Sequence, residues 1–447
     1  MPDLTLVQAI NLALGRAMAE DPSVILLGED IGADGGVFRA TDGLLARFGS
    51  ERVVDTPLAE AGIAGVSVGL AAQGFRPVAE IQFMGFAYSC LDQMLNHAAR
   101  LRTRTQGRLS CPMVLRMPCG GGIHAPEHHS ESGEACFTNV RGLRVVIPSS
   151  PARAYGLLLA AIRDPDPVVF LEPARLYRTP RETVEDTGKT LPLDRCFTLR
   201  EGADITLVGW GGAIAEVLAA AHVLAGEGTE AEVIDVATLV PLDADTILES
   251  VAKTGRCVIC HEASLTGGFG AEIAARLAGP GLLSLLAPVE RVTGYDTILP
   301  LPRLEDAHRP SVARILLGAD LRKSPLVLIP AYDDAAGVTA AFNRNLLVRL
   351  NREASANFDP IAFRHEARWN DRDSRIEMHL VSLRDQTVTL AGTPITFAEG
   401  ETIHTENSYK HTPARLLALA REAGWVPQRQ WMDPAGRFGH FLLAQRD

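Results

Sequence analysis

The sequence of 447 residues predicts an α/β protein with two doubly wound domains followed by an α+β lobe. In the first two-thirds of the chain, short apolar strands bounded by Gly or Pro alternate with helices of about 10–15 residues, a pattern typical of parallel sheets. A polar, Pro-containing stretch at 179–197 divides this pattern into two series. After Arg375, apolar and polar residues alternate, which indicates half-buried antiparallel strands. We therefore predict domains at 1–180, 190–315 and 316–447.

The elements of the first domain follow from hydrophobic periodicity. Apolar residues at helical spacing predict an opening helix at 4–20, and a short apolar run predicts a strand at 24–27. A Gly/Ala-rich segment at 62–74 predicts a helix that packs closely against its neighbours. The remaining predicted elements are strands at 78–83, 113–116, 144–147 and 168–171 and helices at 87–102 and 152–163.

The second and third domains differ in their patterns. In the second, predicted strands at 205–208, 231–235 and 258–260 alternate with helices at 213–225, 244–254 and 272–277. In the third, we predict a long helix at Val338–Glu353, alternating strands that begin near Arg375, a helix at 413–423 and a last strand at 438–443.

Charge and apolar run lengths exclude several classes of function. The chain carries 43 basic and 54 acidic residues, a net charge of −11, without a Lys/Arg-rich run, which argues against binding to nucleic acid or anionic lipid. Apolar stretches are far shorter than the ~20 residues of a membrane-spanning helix. No secretory signal is recognisable, and the seven scattered Cys are typical of reduced thiols, so we expect a cytoplasmic protein.

The motif DTPLAE at 55–60 ends at the start of the Gly/Ala-rich helix. Glu60 should therefore project beside a strand end, where α/β folds place their ligands. The alternative is that Glu60 is a first-turn acid favoured only by the helix dipole.

Two further motifs are candidate catalytic or ligand-binding sites. The Gly-rich and His-rich loop at 120–130 follows a predicted strand, and loop histidines at such positions often transfer protons. A metal site at Glu127, His128 and His129 is the alternative, but neighbouring side chains diverge in an extended loop. The sequence CVICH at 257–261 matches haem-attachment and redox patterns, yet in a strand the two thiols point to opposite faces.

Five ordered motifs make the first 315 residues resemble the β subunit of thiamine-diphosphate-dependent 2-oxoacid dehydrogenases, which decarboxylate the substrates of the pyruvate and branched-chain complexes. These motifs are GEDIG at 28–32, DTPLAEAGIAG at 55–65, APEHHSES at 125–132, AAIRDPDPVVFLEP at 160–173 and RVTGYDT at 291–297. The resemblance implies a thiamine-diphosphate-type pyrimidine-binding domain, a transketolase-type C-terminal domain and an α₂β₂ heterotetramer.

The same resemblance assigns roles to individual residues. It implies that Glu60 contacts the aminopyrimidine ring of thiamine diphosphate, where a protonated carboxyl group favours the imino tautomer. It implies that Leu58 and Phe86 line the pyrimidine pocket. His129 is expected to donate or orient protons during acyl transfer, whereas His128 occupies a more variable position.

The resemblance also implies a metal site and partner subunits. Family members bind a structural potassium ion through backbone oxygens, at positions that resemble those of Met113, Ala161, Ile162, Asp164 and Asp166. The motif that binds diphosphate and magnesium, GDG followed by Asn, is missing from this chain and resides on the family's α subunit. We therefore expect the chain to bind half of the cofactor and to be active only with an α subunit, and we expect a lipoyl acyltransferase core as a further partner.

From position 316 the sequence instead resembles the last part of a histidine-specific, S-adenosylmethionine-dependent methyltransferase of the ergothioneine pathway. The motifs are AYDDAAGVTAAFNRNLL at 331–347, RIEMHLVS at 375–382 and GETIHTENSYK at 400–410. By this resemblance Tyr332, Glu406 and Ser408 match histidine-contacting positions. The Gly-rich adenosylmethionine loop is missing, so we expect no methyl transfer.

The sequence thus predicts a 2-oxoacid dehydrogenase β subunit fused to a methyltransferase remnant. The loop at 120–132 looks closer to bacterial branched-chain members, so a branched-chain 2-oxoacid is preferred over pyruvate. Two alternatives stay open: a non-catalytic fusion whose C-terminal lobe binds histidine or an adenosylmethionine-related ligand, and a recombination product whose tail has no selected function.

Overall fold

The computed structural model describes residues 3–226, 228–312, 314–315, 333, 337–370, 375–409, 421, 425–432 and 439–445, with the side chains of 338, 342, 408, 409, 425–432 and 439–445 excluded. The chain divides into two compact units, Met1–Ala319 and Asp320–Asp447. Each unit is described by itself.

The first domain has a parallel sheet at its centre. Its strands are β1 (Asp3–Leu4), β2 (Val24–Gly28), β3 (Val53–Asp55), β4 (Arg76–Glu80), β5 (Val114–Cys119), β6 (Arg144–Val146), β7 (Val168–Pro173) and β8 (Glu182–Thr183). Strands β2–β7 lie in the order β6-β7-β5-β4-β2-β3, all parallel, and β1 pairs with β8. The carboxyl ends of parallel strands share one edge, where the predicted site motifs follow β3 and β5.

Helices cover both faces of this sheet. They are α1 (Leu6–Glu20), α2 (Leu44–Phe48), α3 (Glu60–Ala72), α4 (Leu101–Arg104), α5 (Ala135–Thr138) and α6 (Pro151–Arg163). Thr5 caps the start of α1, and its side chain and that of Gln8 form a reciprocal capping box. Helix α6 begins after Ser150, with Pro151 in its first turn. Together α1 and α6 bury an apolar core on one face of the sheet.

The continuous helix predicted at 87–102 is wrong. Instead, 3₁₀ turns at Met84–Cys90 and Ala98–Arg100 flank a π-helical turn at Gln93–His97, and α4 follows. A Cβ at Gly85 would collide with the carbonyl oxygen of His128, so this segment lies directly against the His-rich loop. Interrupted helices of this kind often occur at functional sites.

The second domain contains β9 (Phe197–Arg200), β10 (Ile205–Gly209), β11 (Ala231–Asp235), β12 (Thr238–Val240), β13 (Cys257–Ser264) and β14 (Glu290–Gly294), and all of these except β12 form a second sheet. The order is β14-β13-β10-β11-β9, and only β9 is antiparallel to its neighbour among these described strands. Its helices are α7 (Ile214–Gly226), α8 (Ala244–Thr254), α9 (Gly270–Ala278) and α10 (Glu305–His308). Strand β12 instead pairs antiparallel with β6 at the edge of the first sheet, so the second domain contributes a strand to the sheet of the first.

Cys257 and Cys260 lie on β13 and are both buried. Cys257 packs into the core under α8 and α9, whereas Cys260 packs into the core under α7. The two thiols therefore lie on opposite faces of the sheet, as the alternation predicts.

The second unit contains α11 (Val338–Glu353), which has the predicted bounds. Its strands are β15 (Phe363–Asn370), β16 (Arg375–Ser382), β17 (Gln386–Leu390), β18 (Thr393–Phe397), β19 (Thr402–Tyr409), β20 (Trp425–Met432) and β21 (Gly439–Gln445). Strands β15-β16-β19 form an antiparallel sheet that buries Leu380 and Phe363 beside α11. The predicted helix at 413–423 lies outside the described residues apart from position 421.

None of the described helices combines the length and apolar composition that crossing a bilayer requires.

Candidate functional site

Glu60 is the first residue of α3 and is half-buried. The Sγ of Cys90 donates a hydrogen bond to the carbonyl oxygen of Glu60 over 3.3 Å, which ties the start of α3 to the 84–90 segment. Glu29 follows β2 and is buried, and its Oε1 has no hydrogen-bond partner among the described residues. Burial and the nearby charge of Glu60 raise the pKa of Glu29. The strand ends thus place two carboxyl groups together.

His129 is held by two aromatic rings. Its ring lies edge-on to Phe83, with centroids 4.5 Å apart, and edge-on to Phe86 at 5.3 Å. Its backbone N–H donates to the carbonyl oxygen of Pro126 over 2.9 Å. Its Nδ1 is buried without a hydrogen-bond partner in the described part of the chain. The imidazole therefore has a fixed orientation and an unused polar atom.

The neighbouring His128 has different surroundings. It is exposed, and its Nδ1 lies 3.4 Å from Oε1 of Glu131. The Tyr88 hydroxyl donates to the same carboxylate, and burial together with this bond raises the pKa of Tyr88. Among the described residues, no metal-ligating cluster includes these loop histidines, so the metal alternative for this loop finds no support.

Side chains of the second domain hold the Gly-rich loop. The N–H of Gly121 donates to Oε2 of Glu262 over 3.1 Å, and the N–H of Gly122 donates to Glu305. Burial raises the pKa of Glu262, whereas the Arg175 guanidinium opposes this shift. Sequence reasoning missed both acids, although Glu262 lies directly after the CVICH motif in β13.

A buried carboxyl group lies behind the same loop. Burial raises the pKa of Glu134 to about 7, and Nε1 of Trp210 donates to its Oε1 over 3.3 Å. Trp210 also stacks on His261, with centroids 4.8 Å apart and planes at 11°. Burial lowers the pKa of His261 to about 3, so this imidazole is neutral. None of these three residues was predicted as a site residue.

The structure brings together Glu60, Phe86 and His129 on adjoining segments. Leu58 lies two residues before Glu60, and 79% of its surface is exposed. Within the described residues, the unpartnered Nδ1 of His129, the unpartnered Oε1 of Glu29 and this exposed leucine suit a cofactor site.

Four of the five predicted potassium-binding positions lie at the end of α6 and in the turn after it, and Met113 directly precedes β5. Nη1 of Arg76 donates to the carbonyl oxygens of Ile162 and Asp164, over 2.9 and 3.1 Å. The carbonyl oxygens of Met113 and Ala161 each accept one backbone N–H. The remaining position, Asp166, pairs with an arginine through its carboxylate. The Arg76 guanidinium thus holds two of the carbonyl oxygens and would repel a neighbouring cation, so a potassium ion could use only their second lone pairs, and the potassium site stays a prediction.

The predicted histidine-contacting residues are only partly covered by the described part of the chain. Tyr332 lies outside the described residues. Glu406 is exposed on β19, in register with Met378, and position 408 is in register with Ile376 while the Ser408 side chain is not described.

Comparison with known proteins identifies the two N-terminal domains. The transketolase pyrimidine binding domain matches residues 3–180, and the transketolase C-terminal domain matches residues 195–315. Pyruvate dehydrogenase E1 component subunit beta of Bacillus subtilis is 46% identical over 316 residues, covering 71% of this chain and 97% of that protein. The proteins of the same name from Staphylococcus epidermidis and Acholeplasma laidlawii are 46% and 45% identical, with 97% and 96% of their lengths covered.

The chain belongs to the family of E1 β subunits of 2-oxoacid dehydrogenases. This confirms the resemblance drawn from the five motifs, and the family is thiamine-diphosphate-dependent. A solved structure titled a split gene transketolase, inactive beta4 tetramer, aligns with a TM-score of 0.58 at 24% identity, covering 71% of this E1 β chain and 97% of that one. This alignment supports the transketolase-like fold.

The C-terminal part of this E1 β chain matches a second family. The SAM-dependent histidine-specific methyltransferase family matches residues 300–445. This match confirms the methyltransferase resemblance of the tail, and it overlaps the end of the transketolase C-terminal match at 300–315.

Proposed function

We propose that the chain is the β half of an E1 component that decarboxylates a 2-oxoacid oxidatively and transfers the acyl group to lipoyl groups. It acts only within an α₂β₂ heterotetramer, because the diphosphate and magnesium motif belongs to the α subunit. The proposal rests on one observation. Cys90 ties Glu60 to the segment at 84–90, and His129 packs on Phe83, directly before that segment.

The chain's own residues have separate tasks. Glu60, as a protonated carboxyl group, donates to a ring nitrogen of the aminopyrimidine, and Leu58 and Phe86 line that ring's pocket. Thiamine diphosphate, when bound, supplies the electron sink for decarboxylation. Nδ1 of His129 has no hydrogen-bond partner within the described residues, so this side chain is suited to donate or orient a proton during acyl transfer.

Two features favour different oxoacids. The resemblance of the loop at 120–132 to bacterial branched-chain members favours a branched-chain 2-oxoacid. Identity of 46% over 316 residues to proteins named pyruvate dehydrogenase favours pyruvate. We give more weight to the longer match and propose pyruvate as the preferred substrate, with a branched-chain 2-oxoacid as the competitor.

The test is reconstitution. The purified chain is assayed alone and with a cognate α subunit, in thiamine diphosphate, magnesium and an artificial electron acceptor, with pyruvate and with 3-methyl-2-oxobutanoate. We expect no turnover by the lone chain, turnover by the complex, and a higher kcat/KM for pyruvate. Turnover by the lone chain would overturn the shared-cofactor proposal, and a higher kcat/KM for the branched acid would reverse the substrate assignment.

A second candidate function concerns the C-terminal lobe. The methyltransferase family match at 300–445 supports a lobe that binds histidine or an adenosylmethionine-related ligand without methyl transfer. Calorimetry of the full chain with histidine and with adenosylmethionine distinguishes this binding module from a remnant without ligand.

A further inference from the structure

Glu377, His379 and His404 form a cluster in the second unit. Glu377 and His379 lie two residues apart on β16, so they share one face of the sheet. His404 lies opposite His379 on β19, and the two imidazoles stack with centroids 4.7 Å apart and planes at 19°. One ligand atom from each of the three residues lies within 4.8 Å of the other two. Among the described residues, this is the only group with such spacing.

A β-bulge creates this juxtaposition. The register of β16 and β19 shifts between Met378 and His379, so Met378 pairs with Glu406 while His379 pairs with His404. Adjacent residues of a strand point to opposite faces, and a bulge re-aims the side chain beside it. His404 is thereby brought to the face of Glu377, away from the face of the predicted histidine-contacting Glu406.

The half-buried Glu377 and the buried His379 each have a further ligand atom available. Oε1 of Glu377 accepts from Arg375 and Asn370, over 2.6 to 2.9 Å, which leaves Oε2 directed at Nε2 of His379 at 3.2 Å. Nδ1 of His379 is buried and has no hydrogen-bond partner in the described part of the chain. A hydrogen bond between Glu377 and His379 alone would account neither for the buried Nδ1 of His379 nor for the position of His404.

We propose that Glu377, His379 and His404 bind a divalent first-row transition-metal ion. Two imidazoles and one carboxylate suit Zn²⁺, Co²⁺ or Fe²⁺ rather than Mg²⁺ or Ca²⁺, which take oxygen ligands. Metal–ligand distances of about 2.0–2.2 Å require the donor atoms to approach more closely, and the exposed His404 side chain is free to turn toward the other two. Three protein ligands leave at least one open position for water or a small anion. The ion joins β16 to β19.

Cobalt titration of the full chain tests this site. Co²⁺ is added to the purified, chelator-treated protein, and its visible absorption and calorimetric heat are recorded. We expect one saturable equivalent, displaced by Zn²⁺, and binding at least tenfold weaker in both His404→Ala and Glu377→Gln. His404 is exposed and Gln retains an acceptor for Arg375, so both variants should fold, which circular dichroism checks.

The control is His222→Ala, an exposed histidine on α7 in the first unit. It should bind Co²⁺ as the wild type does. The proposal is overturned if no saturable equivalent binds, if His404→Ala binds with wild-type affinity, or if His222→Ala is weakened as much as His404→Ala.

Discussion

The ring of His129 lies edge-on to Phe83, with centroids 4.5 Å apart and planes at 71°, whereas the adjacent His128 is exposed and lies beside Glu131. Two consecutive histidines therefore have opposite surroundings. Both imidazoles contact the ring of Phe86, at 5.3 Å for His129 and 5.4 Å for His128, but only that of His128 is exposed. This contrast provides a matched pair of variants.

His129→Ala should reduce acyl transfer to lipoyl groups by about 10²–10⁴-fold in the reconstituted complex, because a positioned proton donor contributes this much. His128→Ala should retain activity within about threefold of the wild type, a bound well below that contribution. Acyl-lipoyl formation is measured with a free lipoyl domain. Equal losses in the two variants would remove His129 from its proposed role.

Glu60→Gln should lower decarboxylation by at least about 100-fold in the complex, since an amide cannot supply the carboxyl proton. The thermal unfolding curve should stay unchanged, because the side chain is only half-buried. Glu272→Gln, an exposed acid that pairs with Arg276 on α9, is the control and should be fully active. A loss of less than tenfold in Glu60→Gln would contradict the assignment.

Glu134 should make the stability of the first unit depend on pH. Its pKa is about 7 in the folded protein, against 4.5 for an unperturbed glutamate, so between these values the folded state holds a proton that the unfolded state releases. Stability from this group is complete below pH 4.5 and is lost as pH rises through about 7. Since one pKa unit corresponds to about 1.4 kcal/mol, the total loss is about 3 kcal/mol.

Glu134→Gln removes this titration and retains an oxygen that can accept from Trp210. The Tm of this variant minus that of the wild type should therefore rise between about pH 5 and pH 8. Glu272→Gln should show a constant difference over the same range. A flat difference for Glu134→Gln would mean that Glu134 is already ionised in the folded protein.

Potassium should stabilise the first unit if the carbonyl oxygens around Ile162 and Asp164 bind it. At a K⁺ concentration about a hundred times its Kd, binding adds about 2.7 kcal/mol to the free energy of unfolding. Tm is measured in KCl, NaCl and choline chloride at equal ionic strength. Arg76→Met frees one lone pair on each of the two carbonyls, so its Tm should depend more steeply on K⁺. Identical Tm values in the three salts would exclude the ion.

Removal of residues 316–447 should leave assembly with the α subunit intact. Ile315 is fully buried in the core formed with α7 and therefore has to be kept. Size-exclusion chromatography of the truncated chain with the α subunit measures the assembly, and solubility should stay equal or improve. Failure of the truncated chain to assemble would show that the tail has a role in the complex.

Much of the fold could be predicted because apolar periodicity reports local structure. Helix α11 has the predicted bounds, and the DTPLAE motif placed Glu60 at a helix start, as the structure has it. The prediction of a continuous helix failed in the segment at 84–104 for a specific reason. Gly85 lies close to the His128 carbonyl, and hydrophobic periodicity carries no information about such a contact.

Other features depend on partners distant in sequence. Glu262 and Glu305 hold the Gly-rich loop across more than 140 residues, and no local pattern indicates such a pairing. The cluster of Glu377, His379 and His404 depends on a register shift of one residue between β16 and β19. Without that shift the alternation rule would place His404 on the opposite face.

The pairing of β12 with β6 means that the two transketolase-like domains are not independent folding modules. A fragment that ends before Thr238 would leave β6 with an open hydrogen-bonding edge, and such edges recruit strands from other molecules. The segment at 180–195 thus separates the two domains in sequence, but we expect the two domains to fold and unfold together. A ribosome that has completed the first domain still has to synthesise about sixty further residues before that domain's sheet is complete.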